Sequence, residues 1–289
     1  MSSVTHSSKR FMEKREPSYY DLLTVRNVEY IAPEVQDKIR STRLLIAGCG
    51  MGSSFAICAA RMGFTKFLLA DGDTVNIHNL NRQFYDKDDI GVNKATALAR
   101  HIRTINPEAN VEEIPEYLTE TNVPGIVARA DFIFDTIDFL ALEAIVTVHD
   151  ECEKQKKPRI TAFNVGFDGG AVYLPIDCPV TFRQVFGLPN EGSVAHLSYT
   201  ESFGRVVERL AKHIDPGVIK AVSKALTIME DGTPCPASQV APGSFGTANL
   251  VGTMMYRILA GLPVTTAPDF IVGNAHTLLS SPGINLLEE

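Results

Sequence analysis

The feature that most constrains this chain is an apolar run that meets a glycine cluster and then a helix-forming stretch. Residues 44–47 (Leu-Leu-Ile-Ala) are continuously apolar, as a strand buried on both faces requires. Gly48, Gly50 and Gly52 follow, and residues 53–62 read as a helix stopped by Gly63. A strand, a glycine turn and a helix N-terminus bring backbone N–H groups and the positive end of a helix dipole to one point. That combination suits a phosphate. The glycine spacing alone is a weak signal, because the strict dinucleotide fingerprint needs glycine at position 53 and this chain has Ser53.

The residues downstream add information. A second apolar run at 66–70 ends at Asp71, about 20 residues beyond the glycines, where an acid suits a ribose hydroxyl. Asn79, Arg82 and Gln83 then fall within Asn-Leu-Asn-Arg-Gln, and Lys94 opens the next predicted helix, 94–105. An arginine can fork onto phosphate oxygens. A lysine at a helix start opposes the dipole, so an anion is expected beside it. Asp135 ends a third apolar run, 131–135, and Asp138 lies just beyond it; a carboxylate at the carboxyl end of a parallel strand can hold Mg²⁺ on substrate phosphates. Asp138 also suits an N-cap. A plain dinucleotide site leaves Arg82, Gln83 and Lys94 without a task, whereas a triphosphate held for chemistry uses them.

Strands predicted at 44–47, 66–70, 111–115, 131–135, 159–163 and 170–174 alternate with helices at 53–62, 94–105 and 140–154. This predicts an α/β fold: a Rossmann-like, mostly parallel sheet with helices on both faces. A helical segment at 19–40 precedes it. A C-terminal elaboration follows, with an interrupted helix at 206–229, a long helix at 244–260 and a last strand near 268–272. No linker is evident. The expectation is one domain over 1–289, divided into an N-terminal helical segment (1–43), a nucleotide-binding core (44–175) and an acceptor-binding and dimerisation part (176–289).

The formal net charge of −7 argues against a nucleic-acid or anionic-membrane surface. No stretch reads as a secretory signal or a membrane span, so a cytoplasmic location is expected. Five cysteines at wide spacing without C-x-x-C argue against a disulfide framework and against a tetrathiolate zinc site. Cys49 and Cys58 suit packing.

In order along the chain stand Asp71-Gly-Asp-Thr-Val75, Asn79-Leu-Asn-Arg-Gln83, Gly91-Val-Asn-Lys94 and Ile105-Asn-Pro107. This ordered set resembles the ThiF/MoeB/HesA group, relatives of ubiquitin-activating enzymes, over roughly residues 20–174 and more loosely over 246–261. The resemblance implies an ATP-dependent adenylyltransferase. It would activate a carboxylate, often the C-terminus of a ubiquitin-like protein or peptide, as an acyl adenylate with release of pyrophosphate. By motif position, Gly48, Gly50, Gly52 and Asp71 would bind the nucleotide, with Asp71 on the ribose. Asn79, Arg82 and Lys94 would serve the phosphates, Gln83 would contribute to nucleotide binding, and Asp138 would hold the Mg²⁺. Arg26, in Arg26-Asn27, resembles an arginine that reaches the triphosphate of a neighbouring subunit, which implies a homodimer. Cys178 and Cys235 stand as candidates for an acyl thioester. The chain departs from the family pattern at Gly50-Met51, where a double glycine is usual, and at Asp138-Phe139, where Asp-Asn is usual. It also lacks paired zinc cysteines. No zinc is therefore expected. A tRNA-borne carboxylate is a less favoured acceptor given the net charge. Two other functions use part of the same residues: an NAD(P)-dependent oxidoreductase and a non-catalytic peptide-binding module.

Overall fold

The computed structural model describes residues 16–197, 208–209, 211–230, 238–273 and 279. Its first elements are α1 (Tyr19–Thr24), a 3₁₀ turn (Val25–Asn27) and α2 (Pro33–Ser41). A Ser18–Asp21 capping box starts α1, and a proline in the first turn starts α2. The core follows as β1 (Arg43–Ala47), α3 (Gly52–Met62), β2 (Lys66–Ala70), α4 (Lys94–Ile105), β3 (Asn110–Ile114), α5 (Val123–Ala128), β4 (Phe132–Asp135), α6 (Leu142–Lys154), β5 (Arg159–Val165) and β6 (Asp168–Leu174). The remaining described elements are α7 (Phe182–Phe186), α8 (Pro216–Glu230), α9 (Ala241–Leu259) and β7 (Ile271–Val272).

The strand order is β3-β2-β1-β4-β5-β6-β7. β1 to β5 run parallel, and β6 and β7 join antiparallel. The chain winds outward from β1 through β2 to β3, then returns to place β4 on the other side of β1. The crevice between the carboxyl ends of β1 and β4 is therefore the switch point, where open α/β sheets bind ligands.

Alternation along β1 divides the core. Leu44 and Ile46 pack with α3, α4 and α9 on one face, through Phe55, Leu98 and Val251 among others. Leu45 and Ala47 pack with α5 and α6 on the other, through Val127 and Val148. A third cluster joins α6 to α7 and the end of β6 through Ile145, Leu174, Phe182 and Phe186. Helices thus cover both faces, as expected.

The strand at 66–70 and the helix at 94–105 coincide with expectation, and Gly63 ends α3 in the left-handed region at φ 103°. Other bounds shift for local reasons. The helix expected from 140 starts at Leu142, because Asp138 caps a 3₁₀ turn (Phe139–Ala141) instead. The last long helix starts at Ala241 rather than 244, because a proline is tolerated in a first turn. Of the interrupted helix expected at 206–229, the later part is a helix that begins at Pro216, again with proline at its start, while 206, 207 and 210 lie outside the described residues.

Candidate nucleotide site

The site grows from the turn after β1. Gly48 has φ +87°, and a Cβ there would lie 2.7 Å from the carbonyl oxygen of Thr136. Glycine is required here on both counts. The turn is sewn to its neighbours: Gly48 N donates to Ala70 O at 2.9 Å, Thr136 N to Ala47 O at 2.9 Å, and Thr136 Oγ1 to Gly48 O at 2.7 Å. The ends of β1, β2 and β4 are thereby locked around one crevice.

α3 begins there with Met51 at its N-cap and no side-chain cap. Ser53 N and Ser54 N turn back onto Gly50 O at 3.2 Å and Met51 O at 3.1 Å, and with no side chain over this end the positive pole of the dipole faces the crevice. Ser53, the departure from the strict fingerprint, has a task of its own. Its hydroxyl donates to Gly50 O at 2.7 Å and accepts from Phe84 N at 2.8 Å. It ties the glycine turn to the Asn79–Gln83 loop.

Asp71 follows β2. Its Oδ2 accepts from Cys49 N at 2.7 Å and its Oδ1 from Asp73 N at 2.8 Å. Burial lifts its carboxyl above the ordinary range, against the charge of Lys94 and these two backbone donors. Lys94 is buried, and its Nζ donates to Asp73 Oδ2 at 2.8 Å. The anion expected beside Lys94 is thus Asp73 in this structure. Asp73 also accepts from Tyr117 at 2.7 Å. Burial works against the Asp73 carboxylate, yet the bonds from Lys94 and Tyr117 and the lysine charge take it below its usual range.

The Asn79 side chain is engaged in its own loop: it is 4% exposed and its Oδ1 accepts from Asn76 N at 2.8 Å. Arg82 is half-buried. Its Nη1 donates to His78 O at 3.1 Å and to Asn81 Oδ1 at 2.8 Å, and its Nε to Gln239 Oε1 at 2.6 Å. Desolvation pulls its guanidinium below the ordinary range, and the charge of Asp138 acts in the opposite direction. Asp138 is exposed, and its Oδ1 accepts from Leu140 N at 3.0 Å, the cap role foreseen for it. Gln83 Oε1 is buried without a hydrogen-bond partner, and a Cβ at Gly50 would lie 3.2 Å from Gln83 Nε2. A buried orphan acceptor against a glycine turn is a group that a ligand donor would satisfy.

The structure brings Gly48, Gly50, Gly52, Asp71, Arg82, Gln83, Lys94 and Asp138 to the carboxyl ends of β1, β2 and β4. It places Arg26 elsewhere. Arg26 is exposed in the 3₁₀ turn after α1, whose Asn27 donates to Met62 O at the far end of α3 from the glycines. Cys178 also lies away from the crevice. It follows β6, whose last residue, Leu174, pairs with Arg159 at the start of β5. Its Sγ is 4.0 Å from Ala267 O. Cys235 lies outside the described residues. Cys49 and Cys58 are held as thiols by burial, as is Cys152, pushed up to about 12.

Thr136 and Gln239 were not singled out in the sequence, and Ser53 stood there only as a departure from the fingerprint. Gln239 carries no local signal, since it lies 157 residues from Arg82.

A model of the ThiF family matches residues 24–279. The chain belongs to the ThiF family. Among curated relatives it is 28% identical over 180 residues to a SAMP-activating enzyme E1 of Haloferax volcanii, covering 61% of this chain and 66% of that one. It is 32% identical over 146 residues to the sulfur carrier protein ThiS adenylyltransferase of Escherichia coli, covering 50% and 57%. The matched segment thus spans less than two thirds of the length of either relative. Among solved structures, MccB of E. coli superposes with a TM-score of 0.61 at 20% identity, over 94% of this chain and 75% of MccB. That likeness carries the fold. No helix among the described residues is long and apolar enough to cross a membrane.

Proposed function

We propose that this ThiF-family chain is an ATP-dependent adenylyltransferase that activates a carboxylate, the C-terminus of a ubiquitin-like protein or peptide, as an acyl adenylate. The observation that carries this reading is the Arg82 guanidinium, held at the crevice by Gln239, His78 and Asn81, together with the start of α3, which no side chain caps. A hydride-transfer site has no use for that fixed cation. The relatives' names, a carrier-protein adenylyltransferase and an activating E1, agree with the reading.

The chemistry then follows from charge. A carboxylate oxygen attacks the α-phosphorus of ATP, the bond to the β-phosphate oxygen breaks, and pyrophosphate leaves. Two anions must be brought together, and the leaving group gathers negative charge. Asp71, fixed by Cys49 N and Asp73 N, offers its remaining lone pairs to the ribose hydroxyls. Gln83 Oε1 takes a nucleotide donor. The N–H groups opening α3 and the Arg82 guanidinium receive phosphate oxygens. Lys94 joins them by turning from Asp73, or acts from its present place through its charge. Asp138 would hold Mg²⁺, and the ion would screen the phosphate charge.

The same reading makes the protein a homodimer. In its own subunit Arg26 lies at the far end of α3, so a second copy must bring it to a triphosphate. Its surroundings suit such contact: Tyr19, Leu22, Val25, Val28 and Tyr30 are exposed, and Tyr30, Met62 and Tyr256 line a cleft of about 370 Å³ beside them.

The test is ATP–pyrophosphate exchange against a panel of peptides ending in candidate carrier C-termini, with Arg82→Ala as the comparison. Acceptor-dependent exchange that Arg82→Ala abolishes supports the reading. Binding of NAD(P) but not of ATP·Mg²⁺ by the wild-type chain contradicts it.

A further inference from the structure

The hydrogen bond from Arg82 to Gln239 joins two parts of the chain that the proposed chemistry does not otherwise connect. Gln239 immediately precedes α9, and its side-chain oxygen accepts from Arg82 Nε at 2.6 Å. Asn164, near the carboxyl end of β5, directs its Nδ2 at the same oxygen at 3.4 Å. The Gln239 main-chain oxygen accepts from Asn81 Nδ2 at 3.0 Å. Asn164 in turn bonds to the first turns of α9, donating to Ser244 Oγ at 3.0 Å and accepting from Thr247 Oγ1 at 3.1 Å. Gln239 is therefore held on its side chain and on its main chain.

The effect on Arg82 is geometric. A guanidinium has five N–H donors in a rigid plane. The Nε and Nη1 corners are occupied by Gln239, His78 and Asn81. The Nη2 corner is the one with no protein partner among the described residues. Fixing two corners fixes the plane and presents the third. The chemical type matters as well. A neutral amide oxygen satisfies Nε and leaves the full positive charge, whereas a carboxylate there would compete with the phosphates. Asp138 already supplies one negative charge nearby.

We propose that Gln239 is the positioning residue for Arg82: it fixes the guanidinium so that the Nη2 edge meets the ATP phosphates, and it anchors the start of α9 to the nucleotide site. Gln239 itself touches no substrate. The inference rests on the reading of Arg82 as a phosphate ligand given above.

The test is a double-mutant cycle on binding. Wild type, Gln239→Met, Arg82→Ala and the double variant are titrated with ATP·Mg²⁺ and with AMP by calorimetry, on the full chain. Methionine keeps the length of glutamine and removes the acceptor. Gln239→Met is expected to weaken ATP·Mg²⁺ by about tenfold, as for the loss of one bond to a charged group, with AMP affinity unchanged. In the Arg82→Ala background the same substitution is expected to have no further effect. A merely structural role would weaken both nucleotides and add to the arginine loss. Wild-type ATP affinity in Gln239→Met, or losses that add, would overturn the inference while the Arg82 reading stands. Wild-type ATP affinity in Arg82→Ala would overturn both.

Discussion

Gly48 lies with its Cα against the backbone of Thr136, so close that a side chain would put a Cβ 2.7 Å from the Thr136 carbonyl oxygen. This approach closes the crevice between β1 and β4, because Thr136 bonds both to Ala47 O and to Gly48 O. Gly48→Ala therefore incurs a clash with backbone and a strained φ together. The expected loss of stability is about 2 kcal/mol or more, read from urea unfolding, with weakened ATP binding in the folded remainder.

His149 gives a pH dependence. It is fully buried, with Nε2 3.0 Å from Asp135 Oδ2, and Arg159 Nε donates to its Nδ1 at 3.3 Å. That arrangement selects the neutral ring with its proton on Nε2. Burial pulls its pKa below 6.5, opposed by Asp135 and, more weakly, by Glu153, while Arg159 acts with burial. The unfolded chain then binds a proton that the folded chain refuses. The stability contribution is complete above about pH 6.5 and falls as the pH drops below it. Urea unfolding between pH 8 and 5.5 is expected to show that decline. His149→Asn is expected to flatten it at a lower overall stability.

Lys94 separates binding from stability. Its ion pair is with an Asp73 carboxylate whose side chain is 49% exposed, so the pair adds about 1 kcal/mol or less. Lys94→Met is therefore expected to change urea stability by no more than that. If Lys94 serves the phosphates, ATP·Mg²⁺ affinity falls by about tenfold or more. Calorimetry on the same samples checks both.

The proposed homodimer, with Arg26 crossing between subunits, can be tested by mixing. Arg26→Ala and Arg82→Ala dimers are each expected to be inactive. If Arg26 acts across the interface, a mixed dimer has one intact site, so exchanged 1:1 mixtures recover about a quarter of wild-type activity. Mixtures that stay inactive while subunits exchange would show that Arg26 does not work in trans.

Much of this was legible because burial leaves a pattern. Phe67–Ala70 is apolar throughout and became the buried part of a strand that opens at Lys66. Lys94–Ile105 alternates with helical period, and Asn93 caps it through Ala95 N and Thr96 N. The direction of β6 was not legible, because a strand of this composition reads alike in either direction. It is set by the two-residue turn at Gly166 and Phe167, which pairs Val165 with Asp168. The partner of Lys94 was foreseen as an anion, but Asp73 was not singled out for it. Asp71-Gly-Asp73 is turn chemistry, and nothing local marks which acid faces the lysine. Gln239 was invisible for a different reason: its role is a contact between distant segments, which no period or motif encodes.

The central claim is carboxylate activation at Arg82, and ATP–pyrophosphate exchange measures it most directly. Wild-type protein with a matched C-terminal peptide is expected to exchange, and Arg82→Ala to lose that exchange by more than about a hundredfold. Exchange by Arg82→Ala at the wild-type rate would contradict the account.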